Sequence, residues 1–310
     1  GVAFPLIMII SAFAALVSMG GAPRASIMMG KGDTEQANKI LGNCFTALVI
    51  TSVVLTAVTM LFCEPLLMLF GASANTIVYA KAYMIIYAAG TIFVQLTLGM
   101  NAFISAQGFS RISMLTVIIG AITNIVLDPI LIFGFNMGVR GAALATVLSQ
   151  AVSTVWVLLF LSGKKSQLRL HPKYFNINTK ILFPALALGV APFIMQSTES
   201  LLVLCFNSSL LKYGGDLAVG AMTILSSVMQ FSMLPLQGLT QGAQPIISFN
   251  YGAGKIDRVK QAFRLLLVCC LVYSTTMWLL CMVAPQMFAA IFTSDPALTQ
   301  ITVWALRIYI

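Results

Sequence analysis

The sequence predicts an all-α, polytopic membrane protein built from two parallel six-helix lobes, and three observations lead there. Of 310 residues, 59% are apolar and only 8% are charged, against roughly a quarter charged in an ordinary soluble domain. A water-soluble surface cannot be made from so few charges. Runs of about 18 or more nearly uncharged apolar residues, each long enough to cross a bilayer, recur along the chain. A motif at the end of the first run returns 222 residues later.

Taken in order, the predicted spans are Val2 to Gly21, Leu41 to Phe62, Ala82 to Ser105, Ile112 to Phe135, Ala142 to Leu161, Ile181 to Val203, Leu217 to Leu239 and Leu265 to Ala290, with another beginning at Leu298. The first is not a secretory signal, because it lacks a positively charged start and is too long for an h-region. The chain opens on Gly1 and stops at Ile310 within an apolar run. The expectation is therefore a fragment holding helices 2 to 9 and part of helix 10, with helix 1 missing. It divides into an N-terminal lobe at 1–163 (helices 2 to 6), a cytoplasmic linker at 164–179 and a C-terminal lobe at 180–310 (helices 7 to 10). Six cysteines lie in or at the ends of spans with no C-x-x-C spacing, and are expected to be free thiols.

The net charge of +9 is explained by its distribution between spans. Arg24, Lys31 and Lys39 follow the first span, Arg111 the third, Lys164, Lys165, Arg169, Lys173 and Lys180 the fifth, and Lys255, Arg258, Lys260 and Arg264 the seventh. The intervening connections hold only Arg140 and Lys212, with Lys81 and Arg307 near helix ends, where they can snorkel. By the positive-inside rule the rich loops are cytoplasmic, which accounts for the basicity without any nucleic acid. His171, in the longest of these loops, is expected on solvated surface, and the connection near Tyr213 on the outside.

The repeat pairs Gly20, Pro23, Ser26, Gly30, Gly32 and Glu35 with Gly242, Pro245, Ser248, Gly252, Gly254 and Asp257, without a gap. Phe70 in FGAS meets Phe292 in FTSD at the same offset. A period this long lies far outside solenoid repeats and fits duplication of a membrane half. Six helices separate equivalent points, and an even number preserves orientation, so the repeats are parallel. The glycines are expected to end a helix and turn the chain with left-handed backbone. Asp33, Glu35 and Asp257 suit the positive end of the helix that follows. The GAGK at 252–255 is no phosphate loop, since Phe249 stands where that loop needs glycine and Ile256 where it needs Ser or Thr.

A charge at the bilayer centre costs at least about 2.5 kcal/mol, so an acid there needs a reason. Asp128 and Glu199 qualify; each lies about 25 to 29 Å along its helix from the nearest cytoplasmic cation, in the outer half of the membrane. Asn124 is four residues before Asp128 on the same helix face and can share a proton or cation with it. Pro129 has no N–H, so the Ile125 carbonyl loses its helical donor. Glu199 is flanked by Gln196, Ser197, Thr198 and Ser200; such oxygens suit Na+, and a buried carboxyl suits H+. Each acid is either a coupling group or one held by other helices. Gln95, Asn101, Gln107, Asn207, Gln230, Gln237 and Gln241 either line a substrate cavity or tie helices together. Abundant methionine and phenylalanine allow an adaptable wall for apolar cations, or ordinary packing.

Three segments, PRASIMMGKGDTEQA, NIVLDPILIFGFNMGVRGAALAT and QGAQPIISFNYGAGKIDRV, resemble the multidrug and toxic compound extrusion (MATE) family of transporters, and the resemblance runs along the whole chain. It implies two six-helix lobes arranged as a V in a bacterial cytoplasmic membrane. It also implies export of cationic or amphipathic drugs in exchange for Na+ or H+, with no other cofactor, by a monomer. Asn124 and Asp128 match the N-x-x-x-D-P pattern implicated there in proton coupling and substrate binding, and Glu199 corresponds to a helix 7 acid of the family's cation site. Pro23, Gly30, Gly32, Pro245, Gly252 and Gly254, the structural motif of the internal repeat, lie within the matching segments. The rival in the same superfamily is a lipid or lipid-linked oligosaccharide flippase, which needs a larger basic groove for phosphates; the buried charges here are acids. An enzyme is disfavoured, because no H-E-x-x-H, G-x-S-x-G or membrane-depth cysteine–histidine pair exists to carry chemistry.

Overall fold

The computed structural model describes the backbone of residues 3–70, 72, 76–293 and 295–309, and within them leaves out the side chains of 200–201, 203–204, 206–208, 210–219, 297 and 309. The described residues are helical almost throughout and contain no strand. They form two compact units, one of Gly1–Leu201 with Ser248–Lys255, the other of Leu202–Ile247 with Ile256–Ile310.

In the first unit, α1 (Phe4–Gly30) and α2 (Thr34–Leu61) are longer than the apolar runs that announced them. The apolar run marks what meets lipid, whereas helical hydrogen bonding continues into the polar turns beyond. Pro23 therefore lies inside α1 rather than after it. Arg24, expected in a loop, stands in the helix and is half-buried. The joint between the two helices is tight: Lys31 N–H donates to the Ile27 carbonyl (3.0 Å), Gly32 N–H to Met29 (3.0 Å) and Asp33 N–H to Met28 (3.0 Å). Gly32 sits at φ +83°, where a side chain is strained. Asp33 then caps α2, accepting from the Gln36 amide at 2.9 Å.

The chain continues through α3 (Cys63–Leu69), α4 (Ile77–Ala89) and α5 (Thr91–Ala106). The expected single span at 82–105 is two helices bent by 56° at Gly90, where a methyl group would overlap the Val147 side chain. Lys81 on α4 meets Glu64 on α3 at 2.9 Å, and the ammonium holds the Glu64 carboxyl below its ordinary range. Next come α6 (Ser110–Pro129), a π-helical turn over Ile130–Gly134, and α7 (Val139–Ser162). The core of this unit gathers Val17 and Ala25 of α1, Leu41 and Leu48 of α2, Met100 and Phe103 of α5 and Leu161 of α7.

The linker is pinned to this core. Gln107 Oε1 accepts from Ser166 Oγ (2.9 Å), Gln167 N–H (2.8 Å) and Leu168 N–H (2.9 Å). Asn38 Oδ1 takes the Arg169 amide at 2.8 Å, and Asn43 Oδ1 the Asn178 amide at 2.6 Å. His171 is exposed, as a solvated position requires.

Helical hydrogen bonding then runs through α8 (Thr179–Gly252). A straight helix would put Gly189 and Gly252 about 95 Å apart. Yet Gly189 packs on Leu16 and Gly252 on Ile27, both on α1, so the segment turns back on itself between them. The connection expected near Tyr213 falls among residues whose side chains are outside the description.

The second unit packs Ile224, Leu225 and Val228 of α8 with Cys281 of α9 (Ile256–Val283), Phe288 of α10 (Pro285–Phe292) and Leu306 of α11 (Pro296–Tyr309). Its helices repeat those of the first unit at the sequence offset of 222: α2 and α9 each have 28 residues, and α3 and α10 begin at Cys63 and Pro285. Burial follows suit, with Met84 and Leu306, and Leu67 and Ala289, all at 0% exposure. Even the joint is copied, because Ala253, Gly254 and Lys255 donate to Phe249 (2.9 Å), Tyr251 (3.1 Å) and Asn250 (2.9 Å). Gly254 has φ +71°. Equivalent elements follow one another in the same order along the chain, as a duplication requires. Gly30 and Gly252, by contrast, are helical and do not make the turn; their lack of a side chain serves packing instead.

Candidate coupling site on α6

The α6 helix has one protein-facing stripe. Residues 113, 116, 120, 124 and 128 recur at the i, i+3/i+4 spacing of a helix face, and they are Ser113, Thr116, Gly120, Asn124 and Asp128, each buried or half-buried. The other faces carry exposed apolar residues such as Val117, Ile122, Ile125 and Val126, as lipid contact demands. A polar seam thus runs up the side of α6 that meets its neighbours.

The lower rungs of that seam are satisfied. Asn101 of α5 donates to the Ser113 carbonyl (3.2 Å), Ser105 Oγ to Ser113 Oγ (2.7 Å), and Ser153 Oγ of α7 to the Thr116 carbonyl (3.1 Å). Gly120 lets α7 approach, since a methyl there would lie 2.6 Å from Ser153 Oγ. Higher up, hydrogen bonding stops. Asn124 Nδ2 and Asp128 Oδ1 are both buried and have no partner among the described residues. A buried polar atom without a partner costs about 1–3 kcal/mol, and two on adjacent turns of one face mark a place where the fold leaves polar capacity open.

Local backbone explains why the seam is broken there. Pro129 brings no N–H, the Ile130 amide reaches back only to Leu127, and Phe135 N–H donates five residues back to Ile130 at 3.0 Å. The wide turn that results is of the kind found inside helices at functional sites. Six residues of helix remain beyond Asp128 before the end at Gly134, about 9 Å, which sets the carboxyl below the end of the span. The start of α7 closes over this turn, with Gly141 against the Leu131 carbonyl and Ile132 amide.

The other sequence-expected residues are scattered. Gln95 is fully buried in α5, its Nε2 donating to the Ile10 carbonyl of α1 at 2.7 Å; it ties helices together rather than lining a cavity. Asn101 does the same toward α6, although the Oε1 of Gln95 and the Oδ1 of Asn101 have no partner among the described residues. Gln196 is half-buried, Thr198 and Glu199 are exposed, and so are Gln230, Gln237 and Gln241. Asn207 lies outside the described side chains. A cleft of about 460 Å³ beside Glu64 and Lys81 and an apolar one of about 250 Å³ beside Leu16 and Ile50 are lined by none of these residues.

Three further polar groups lie outside the sequence-expected set. Arg24 Nε on α1, Gln150 Oε1 on α7 and Thr302 Oγ1 on α11 are buried without a partner among the described residues. Arg24 follows the apolar run and so reads as a loop residue; only the extension of α1 through Pro23 brings it inside. Gln150 is legible as an uncharged polar residue within a span. Thr302 has no distinguishing signal.

Comparison with known proteins agrees with this architecture. The MatE family model matches residues 1–130 and 192–310. The chain is 26% identical over 304 residues to the multidrug export protein MepA of Staphylococcus haemolyticus, covering 98% of this chain and 67% of that one. It is 25% identical over 308 residues to the MepA of a Staphylococcus aureus strain, with the same shares covered. Among solved structures, the MATE multidrug transporter DinF-BH is 35% identical and superposes with a TM-score of 0.90, over 99% of this chain and 69% of that one. With its apolar spans, its internal duplication and a family model that matches most of its length, this chain belongs to the MatE family and is a multi-pass membrane protein.

Proposed function

We propose that this protein is a secondary antiporter that exports cationic or amphipathic organic compounds by alternating access, and that Asp128 and Asn124 exchange the coupling ion. The observation that carries this is the pair of buried, partnerless polar atoms one turn apart on the protein face of α6, beside a π-helical turn. A carboxyl in that place gains or loses a proton or cation without first breaking a hydrogen bond within the fold. Asn124, one turn away on the same face, adds a neutral carboxamide whose oxygen can accept from, or coordinate, the same ion. The multidrug export named for the MepA relatives supports the substrate class. Na+ and H+ are separate possibilities for the ion: the polar run at Gln196, Thr198 and Glu199 offers oxygens for Na+, whereas the α6 pair suits a proton.

The test is dye efflux by the intact protein in membrane vesicles, with a pH gradient and a Na+ gradient imposed separately. A proton carried by Asp128 predicts efflux driven by the pH gradient alone. Efflux driven only by Na+, and weakened by Glu199→Gln, would move the coupling site to the Glu199 run. Efflux under neither gradient would overturn the antiport reading.

A further inference from the structure

At the cytoplasmic end of α1 the backbone of one helix touches the backbone of another. A methyl group on Gly30 would overlap the Phe249 carbonyl and lie 2.9 Å from the Ala253 amide nitrogen. Reciprocally, a methyl on Gly252 would overlap the Ile27 carbonyl and lie 2.9 Å from the Ile27 Cα. Both partners belong to the same compact unit. Under the repeat offset, Ile27 corresponds to Phe249 and Gly30 to Gly252, so the contact maps onto itself. Each glycine takes the carbonyl of the residue equivalent to its own neighbour one turn back. Such self-complementarity is the mark of a two-fold interface, here between the ends of duplicated helices.

The same two carbonyls also close the helix ends, accepting from Lys31 at 3.0 Å and from Ala253 at 2.9 Å. Immediately beyond, Gly32 and Gly254 reverse the chain. Approach and reversal are therefore set within a few residues, on the basic, cytoplasmic side of the sequence. Only glycine at both sites permits the backbones to meet, whereas two other glycines of the same helix are free of such contact: a methyl group added to Gly238 or Gly242 would meet nothing within 4 Å.

We propose that this reciprocal glycine contact is a cytoplasmic latch, holding the inner ends of the duplicated helices together in the state seen here and parting when the inner face opens to substrate. The latch rests on the transport reading above but is tested without transport. Ala253→Cys in an otherwise cysteine-free intact protein, in inside-out vesicles, is labelled with a membrane-impermeant maleimide. Gly30→Leu and Gly252→Leu each raise the labelling rate, by roughly tenfold for a population shift of that order, and Gly238→Leu leaves it unchanged. Should the leucine variants fail to assemble, Gly30→Ala and Gly252→Ala carry the test with smaller increases in the same direction. Unchanged labelling in folded Gly30 and Gly252 variants, or an equal increase from Gly238→Leu, overturns the latch. Loss of ion-driven efflux in the parent protein, with the labelling pattern intact, would count against the transport reading alone.

Discussion

Single side chains decide two questions in this molecule. Gln107 gathers three donors from the linker on one carboxamide oxygen, more than Asn38 or Asn43 takes from the same segment. Gln107→Ala leaves those donors short of an acceptor, and is expected to destabilise the protein by about 1–3 kcal/mol, read as a lower thermal midpoint in detergent. An unchanged midpoint would mean that water replaces the side chain without loss. Asp128 presents the reverse situation: its Oδ1 has no partner among the described residues, so removing its charge takes little from the fold. The two residues are equally visible in the sequence as polar groups in or beside a span. Only packing distinguishes the one that is saturated from the one that is open, because saturation depends on the linker folding back over the helix ends.

At the level of elements, Pro129 is the counterpart of Asp128. Its missing N–H and the π-helical turn that follows loosen the helix where the carboxyl sits. Pro129→Ala lets α6 continue regularly, and is expected to raise the thermal midpoint, with a gain of up to about 3 kcal/mol, while slowing ion-driven efflux. Faster or unaltered efflux in a stabilised Pro129→Ala protein would show that the wide turn has no part in the cycle. Helix identity is largely legible from apolar runs, and the α6 face from the spacing of Asn124 and Asp128. The ends are not, because hydrogen bonding in α1 and α2 outlasts their lipid-facing length. Nor is the 56° bend at Gly90, beside which the Val147 side chain packs, a contact that no local pattern records. The roles of Gly30 and Gly252 are hidden for a similar reason: a glycine near a helix end looks like a turn until the neighbouring backbone is in view.

For the whole molecule, duplication is the organising fact, and the offset of 222 in the sequence reappears in helix limits, burial and hydrogen bonds. Charge asymmetry orients it. Lys173→Cys in the pinned linker should react with impermeant maleimide in inside-out vesicles and not in intact cells; reaction from outside would invert the topology.

The central claim, that Asp128 exchanges the ion that drives export, is tested most directly by Asp128→Asn in the intact protein, reconstituted at matched expression and folding. The amide keeps the shape of the carboxyl but cannot exchange a proton. The variant should still equilibrate dye across the membrane down its own gradient, yet fail to concentrate it when a pH gradient is imposed. Concentration of dye by Asp128→Asn to the wild-type level would contradict the assignment.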